Sequence, residues 1–258
     1  MQPIYTTTNV TPAYQLNWGL TIFWRHKAVP EELWLSSLMN QTEQDGVRIL
    51  RHRLLPDQAS QFFLSTRPQV SPSAMIRIVK AKLQCLIRPQ QPGALQRNYS
   101  IRSIGSATRK VVEDYVARQL SHHPMADERV QAELVKYQRA FPDVDLSQAI
   151  SSAHGRYWYN LHLVLVNAER WMEIRPSVLQ SMSSMIVRVS MKYAHRLSRV
   201  GMLADHIHLT LGCQVTESPE EVALRFLNNL AFSVGMSPCF KFGYFAGTIG
   251  EYDRNAVL

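Results

Sequence analysis

The sequence contains two similar halves that are related by one constant offset of 145 residues. The matched landmarks are Tyr14-x-Leu16 with Tyr159-x-Leu161, Gln69-Val70 with Gln214-Val215, Tyr99 with Tyr244, Ile104-Gly105 with Ile249-Gly250, and Arg109 with Arg254. A register that holds without a gap across several landmarks indicates a duplicated structural unit. Such a duplication constrains the fold strongly, because each half must form the same succession of strands and helices.

Both halves share one pattern of predicted elements. The pattern consists of a strand (16–24 or 161–166), a helix (31–45 or 176–199), a strand that ends near residue 66 or 211, a second helix (72–87 or 219–234) and a strand that leads into the Ile-Gly pair. Strands and helices that alternate in this way are typical of an α+β fold, and the β-α-β-β-α-β order of a ferredoxin-like module fits best. We therefore predict two tandem ferredoxin-like modules with antiparallel sheets.

The segment between the halves is predicted to connect them. Val130, Leu134 and Tyr137 have helical spacing within residues 126–141, and Pro142 follows. Apolar residues at this spacing predict a helix, which the proline ends. We predict an N-terminal module at 1–120, a helical linker at 121–155 and a C-terminal module at 156–258.

Composition narrows the partners and the compartment. The chain has 28 Lys and Arg residues against 20 Asp and Glu residues, a net charge of +8, which favours a polyanionic partner, nucleic acid before membrane. The three cysteines form no Cys-x-x-Cys pair, so they indicate neither a zinc knuckle nor a disulfide framework, and a reducing cytoplasm fits them best. No apolar run approaches the ~20 residues that span a bilayer, so we expect no membrane partner.

A pair of histidines in an apolar, alternating run is the strongest chemical signal. His206 and His208 flank Ile207, and a strand places such i and i+2 residues on one face. Two neutral imidazoles side by side provide half of a site for a divalent metal ion. The alternative is a strand that carries two hydrogen-bonded, inert histidines.

The first half lacks this pair and carries a different motif. In the constant register His206 and His208 lie over Gln61 and Phe63, so the first module is not expected to bind metal in this way. After its Ile-Gly pair, a predicted helix carries Tyr115 and Gln119, an i, i+4 pair on one face. A phenol and a carboxamide offer a nucleophile and an oxygen ligand. The alternative is an exposed tyrosine with a solvated glutamine.

Basic residues concentrate in the first half. Residues 67–118 contain ten Lys or Arg residues and two acidic residues. The candidates for DNA binding are Arg77, Lys80, Arg88, Arg102, Arg109 and Lys110. The first three recur near helical spacing and could form one stripe along a phosphate backbone. For any one of these residues, a solvated surface position is the alternative.

Taken together, these residues resemble the single-tyrosine HUH transposases, the small insertion-sequence and REP-associated enzymes. The resemblance rests on His206-Ile207-His208, on the run Gly-Tyr-Phe-Ala-Gly-Thr-Ile-Gly at 243–250, and on the helix with Tyr115-x-x-x-Gln119 that follows the run 99–105. It covers most of both halves and omits the linker.

The resemblance implies an activity and a set of roles. The family fold is a ferredoxin-like domain that dimerises by joining sheets and exchanges its tyrosine helix, so this chain looks like such a dimer fused into one polypeptide, an intramolecular pseudo-dimer. His206, His208 and Gln119 would then hold one Mg²⁺ or Mn²⁺. Tyr115 would attack DNA as the catalytic nucleophile and form a 5′-phosphotyrosine. The first module would have no active site of its own, in contrast to the two equivalent sites of the family.

The same resemblance implies partners and a location. The substrate would be single-stranded or hairpin DNA that the chain nicks and rejoins, and the chain would be a monomeric pseudo-dimer in the bacterial cytoplasm, associated with the nucleoid. Other mobile-element proteins would be further partners.

Three other functions remain open at this stage. The first is a domesticated hairpin DNA- or RNA-binding protein that does not cut. The second is a phosphoesterase with two His-x-Thr motifs, for which only the copy at His208-Leu209-Thr210 is present. The third is a structural protein with a chance histidine pair.

Overall fold

Twelve strands form two six-stranded sheets in the computed structural model, which describes residues 2–56, 58–235 and 238–257. The strands are β1 (Thr11–Gln15), β2 (Asn17–Trp24), β3 (Val47–Leu55), β4 (Ala59–Thr66), β5 (Leu95–Ile104), β6 (Arg139–Ala140), β7 (Ile150–Ser152), β8 (Gly155–Trp158), β9 (Asn160–Val166), β10 (Arg196–Met202), β11 (His206–Gly212) and β12 (Gly243–Ile249). The helices are α1 (Leu35–Gln44), α2 (Pro72–Ile87), α3 (Arg109–His122), α4 (Glu128–Val135), α5 (Pro176–Lys192), α6 (Pro219–Ser233) and α7 (Arg254–Val257). Within these ranges, no helix is both long and apolar enough to cross a membrane.

Each half has a ferredoxin-like arrangement. Four antiparallel strands lie in the order β3-β4-β2-β5 in the first sheet and β10-β11-β9-β12 in the second. Helices α1 and α2 connect strands of the first sheet, and α5 and α6 those of the second. The predicted α+β fold with two tandem ferredoxin-like modules is therefore confirmed.

The two modules exchange strands. β1, which precedes the first module, pairs parallel with β12 of the second sheet, and β8, which precedes the second module, pairs parallel with β5 of the first. Two symmetry-related hydrogen bonds from hydroxyl groups join the two sheets where β5 and β12 end. Ser103 donates to the carbonyl of Ile249, and Thr248 donates to the carbonyl of Ile104. This reciprocal exchange makes the chain an intramolecular pseudo-dimer, as predicted.

Each sheet buries one face under its helices and leaves the other face for other contacts. In β2 the alternate residues Trp18, Leu20 and Ile22 are fully buried in the core with α1 and α2. In β11 the alternate residues Ile207, Leu209 and Leu211 have the same role beneath α5 and α6. Because side chains alternate along a strand, the histidines of β11 must project from the face away from these helices.

Two predicted helix ends were wrong. The helix predicted to reach residue 199 ends at Lys192. After a short turn, the seven residues of β10 begin at Arg196. The chain turns at Ala194, whose φ of 54° is left-handed, at the position that Gly46 occupies with a φ of 77° in the first half. Since alanine gives no signal for a left-handed turn, the boundary was hidden. The linker helix is also shorter than predicted, because α4 ends at Val135 and β6 then pairs with β10.

The constant repeat register is wrong in the middle of the modules. The pairing in the sheets relates β5 to β12 by an offset of 145 residues, but β2 to β9 by 143 and β4 to β11 by 147. His208, paired with Val164, therefore corresponds to Gln61, paired with Thr21, and His206 corresponds to Ala59. The prediction that Gln61 and Phe63 take the histidine positions is corrected to Ala59 and Gln61, because loops of unequal length shift the strands in opposite directions.

Candidate active site

Helix α3 of the first half packs on the open face of the second sheet, against β10 and β11. The close approach depends on Gly201 in β10. A Cβ atom at Gly201 would lie 3.1 Å from both the Val116 carbonyl oxygen and the Val116 Cγ1 atom. Gly201 is also paired directly with His208 across the strands. The glycine therefore lets a helix from one module lie beside the histidine strand of the other.

Ionic contacts hold the start of this helix. Arg109 pairs with Glu113 one turn later and donates from Nε to Glu251 at 2.9 Å, while Ser198 of β10 donates to the buried Glu113. The prediction that Arg109 contacts DNA is corrected, since its guanidinium is committed to these two carboxylates. Its observed position makes it an anchor of α3.

The helix places Tyr115 directly over the histidine pair. The ring centroids of Tyr115 and His208 are 5.8 Å apart and edge-to-face, and His206 and His208 lie 4.8 Å apart. Tyr115 is 42% exposed, so its hydroxyl is open to solvent and to a large substrate. Residues from the two halves thus meet in one cleft, with the nucleophile and ligand roles of the four predicted residues remaining predictions.

Each histidine of the pair has a hydrogen-bond partner on its Nδ1 atom. His206 Nδ1 lies 2.6 Å from Asp205 Oδ1, and His208 Nδ1 lies 2.9 Å from His162 Nε2 on the adjacent strand. A hydrogen bond on Nδ1 orients each imidazole, and an Nδ1 that donates leaves a lone pair on Nε2. Asp205 is an acceptor and therefore selects this tautomer at His206, whereas the neutral His162 can either accept from or donate to His208.

Burial keeps His208 and His162 neutral. Burial lowers the pKa of His208 to about 2, and the neighbouring His162, His206 and His123 lower it further. Burial also lowers the pKa of His162 to about 4. Because protonation of a histidine destroys its lone pair, a depressed pKa favours the form that binds a metal ion.

Gln119 is the most unusual polar group at the site. Its side chain is fully buried one helical turn after Tyr115, and neither its Oε1 nor its Nε2 atom has a hydrogen-bond partner among the described residues. His208 Nε2 is likewise buried without a partner in that part of the chain. Native proteins rarely leave buried polar atoms unsatisfied, so these atoms are available to a ligand or to ordered water.

The donor set is mixed and fits a divalent cation. A carboxamide oxygen suits a hard ion such as Mg²⁺ or Mn²⁺, whereas imidazole nitrogens suit transition-metal ions. The orphaned atoms of Gln119 and His208 are available donors. Across residues 2–56, 58–235 and 238–257, no group of three or more His, Cys, Asp or Glu side chains has an arrangement that could hold a metal ion. A site here therefore depends on the amide of Gln119.

Three further histidines surround the predicted residues and were not assigned to the site from the sequence. His162 stacks on His208 at 5.2 Å, His123 lies 6.5 Å from His206, and His122 lies 6.5 Å from the Tyr115 ring. His122 is the last residue of α3 and His123 follows it directly, so their place at the end of the tyrosine helix was the available signal. Nothing local in the sequence marks His162, since its contact with His208 depends on strand pairing.

The remaining predicted DNA-binding residues are scattered. Arg77 and Arg88 are exposed on α2, which packs on the helix-covered face of the first sheet, and Lys110 is exposed near the start of α3. Lys80 is committed to the backbone, because its ammonium donates to the carbonyls of Gln96 and Arg97 at 2.7 and 2.8 Å. The predicted stripe on α2 therefore loses Lys80.

Arg102 lies apart from the other candidates, on the first sheet. It belongs to β5, and its guanidinium stacks on the Trp158 ring at 4.0 Å. The nearby face of this sheet carries none of the site histidines. Arg102 is therefore not a contact of the histidine cleft.

Comparisons with known proteins give only distant similarities. No protein-family profile and no curated protein matches the chain. Among solved structures, it is similar to a REP-associated tyrosine transposase bound to a REP hairpin, with a TM-score of 0.32 and 10% identity over 35% of this chain and 56% of that chain. It is also similar to a candidate glycine cleavage system transcriptional repressor, with a TM-score of 0.25 and 9% identity over 92% of this chain and 98% of that chain.

Proposed function

We propose that this chain is a metal-dependent endonuclease and strand transferase for single-stranded DNA, with one composite site. The observation that supports this most is that two predicted ligands, the fully buried amide of Gln119 and the buried His208 Nε2, both lack hydrogen-bond partners among the described residues, while the nearby Tyr115 is accessible. A purely structural arrangement would satisfy these buried atoms with protein partners or ordered water. A site that binds a cation and a phosphate would instead leave these ligand atoms without protein partners.

The cation would be Mg²⁺ or Mn²⁺, held by His206, His208 and Gln119. When bound, it would polarise a non-bridging oxygen of the scissile phosphate and orient the phosphate. Asp205 holds His206 in the tautomer that leaves Nε2 free, and His162 would do the same for His208 by accepting the hydrogen bond on its own Nε2. Hydrogen bonds from His206 and Arg170 lower the pKa of Asp205 against the opposing effect of burial, which keeps this carboxylate ionised.

Tyr115 would be the nucleophile. Its phenol oxygen would form a bond to the phosphorus while the bond from phosphorus to the 3′ oxygen breaks, and the phenol proton would end on that 3′ oxygen. The products are a 5′-phosphotyrosine and a free 3′-hydroxyl. The energy of the phosphoester is conserved in this exchange, so a 3′-hydroxyl can reverse it and rejoin strands.

The position of the tyrosine suits a polymeric substrate. Tyr115 is exposed at the cleft surface, whereas the ligand atoms lie beneath it, so a strand can pass across the site without entering a deep pocket. The net charge of +8 favours a polyanion. Hairpin-flanked DNA is the substrate that the resemblance to HUH transposases favours, with bacterial nucleoid DNA as its source.

The test is covalent trapping of the protein on labelled single-stranded hairpin oligonucleotides with Mn²⁺ or Mg²⁺. We expect a band of protein joined to DNA on a denaturing gel, and expect EDTA to abolish it. Tight, salt-sensitive hairpin binding without any such band, at either metal ion, would replace the nuclease with the non-cutting binding protein.

We also predict that His162 acts on metal affinity through His208. His162→Phe removes the hydrogen-bond partner of His208 Nδ1, and we expect Mn²⁺ to bind 10- to 100-fold more weakly, in keeping with the loss of an outer-shell partner. His162→Gln keeps an acceptor and is expected to restore most of the affinity. Mn²⁺ titration followed by electron paramagnetic resonance, without DNA, measures both. Equal affinities for the Phe variant and the parent would refute this role.

A further inference from the structure

The open face of the first sheet carries a cleft at the position that corresponds to the histidine site. It has a volume of about 820 Å³ and lies over β2, β3, β4 and β5. The strand register shows which residues take the place of the site histidines. Ala59 corresponds to His206, Gln61 to His208, and Gly19 to His162. The three imidazoles of the site are therefore absent from these positions, and the residues that replace them are uncharged.

Arginines stand where the active half has glycines. Arg53 pairs with Gln61 as Gly201 pairs with His208, and Arg102 pairs with Gly19 as Gly247 pairs with His162. Both arginines line the cleft. They lie on β3 and β5, which are separated by three strand spacings, or about 14 Å. The cleft floor thus has positive charge on each side of an uncharged centre.

The arginine at position 53 also keeps the cleft open. In the second sheet, α3 lies so close to β10 that even a Cβ atom at Gly201 would come 3.1 Å from the Val116 carbonyl oxygen. Arg53 places a long, charged side chain at the corresponding point of the first sheet. A helix docked equally close to β3 would have to displace this side chain. The short helix α7 contributes Ala256 to the lining of the cleft.

The lining suits an unpaired nucleic-acid strand. No Asp or Glu lines the cleft among the described residues, whereas Arg53, Arg102 and the half-exposed ring of Tyr252 do. Trp158 supports the Arg102 guanidinium at 4.0 Å. Separated arginines with an accessible aromatic ring are the combination that binds single strands, since the cations contact phosphates and the ring stacks on a base.

We propose that this cleft is a second, non-cleaving site that holds single-stranded DNA along β2. The proposal rests on the proposed function, because it gives a single-site nuclease a place for a second segment of strand. The second module would cleave the DNA strand and the first module would bind another segment of it, each with the open face of its sheet.

The test is a metal-free titration of the full chain with fluorescently labelled oligothymidylate, followed by anisotropy at several salt concentrations. Arg53→Glu and Tyr252→Ala are each expected to weaken binding by about ten-fold. Arg53→Glu should also reduce the slope of log affinity against log salt by about 0.7, the value for one phosphate contact on a single strand. Arg188→Glu, an exposed arginine on α5, is the matched control for the change in net charge and should have less than a two-fold effect.

The possible outcomes separate clearly. Equal weakening by Arg53→Glu and Arg188→Glu would overturn the site in favour of diffuse attraction by net charge, and no effect of either would show that the strand binds elsewhere. Equally tight binding of the corresponding duplex would overturn the preference for a single strand. Because EDTA prevents cleavage in this titration, its result does not depend on the nuclease. A parent protein that forms no covalent adduct would refute the nuclease and leave this binding result standing.

Discussion

Replacement of Tyr115 by phenylalanine is expected to abolish the covalent adduct, with a loss of at least about 1,000-fold in its rate of formation. The reason is chemical, since phenylalanine lacks the oxygen that must bond to phosphorus. The ring itself remains, with its edge-to-face contact to His208 at 5.8 Å. Folding, metal binding and DNA binding are therefore expected to stay within two-fold of the parent.

Trapping of protein on a 5′-labelled and a 3′-labelled hairpin measures this effect, because only one of the two labels should be carried by the protein. Tyr14→Phe is the matched control, since Tyr14 is 45% exposed against 42% for Tyr115 and lies on β1, outside the cleft. The control should trap DNA as the parent does. An adduct that survives Tyr115→Phe would show that another residue is the nucleophile.

Local pattern was enough to predict the parts of this site. The alternating run around His206 and His208 predicted a strand with both imidazoles on one face, and β11 begins at His206. Helical spacing predicted that Tyr115 and Gln119 share a face, and α3 spans both. The repeat predicted two copies of one fold, and the four module strands have the same order in the two sheets.

Long-range pairing determined what the sequence did not reveal. The first and second halves differ in loop length on either side of β4 and β11, and the differences nearly cancel by the last strand. A constant offset therefore matched the landmarks at the ends of each module while it misplaced Gln61 by two residues. The role of His162 depended on the same pairing, because residues 46 positions apart become neighbours only in the sheet.

Charge alone was a poor guide to function. Lys80 and Arg109 look like phosphate contacts in the sequence, yet one caps backbone carbonyls and the other pairs with two carboxylates. Arg53 lies outside the basic run at residues 67–118, yet it faces a cleft. Whether an arginine is available to a ligand depends on its neighbours in the folded structure. The amino-acid composition does not identify those neighbours.

Gly201→Val is expected to disconnect the two halves of the site without unfolding either sheet. The valine Cγ atoms would extend beyond a Cβ that already lies 3.1 Å from the Val116 carbonyl oxygen of α3. A backbone atom cannot avoid this overlap by changing a side-chain rotamer, so the helix itself must shift. We expect α3 to leave β10, which carries Tyr115 and Gln119 away from the histidines. The rate of adduct formation should fall by at least about 100-fold, since a displacement of reacting groups by about 1 Å already slows a reaction by that factor.

A graded series and a suppressor distinguish undocking from general destabilisation. Gly201→Ala, which adds only the Cβ, should have a smaller effect than Gly201→Val. Val116→Ala removes the Cγ1 contact and should recover part of the activity in the double variant, so a double-mutant cycle should give a coupling that two independent defects would not. Limited trypsin digestion at Lys110 and Arg118 should accelerate as the adduct declines, because both lie on the released helix. A Gly201→Val protein with full activity would show that the chemistry does not require α3 on β10, and the composite site would then be wrong.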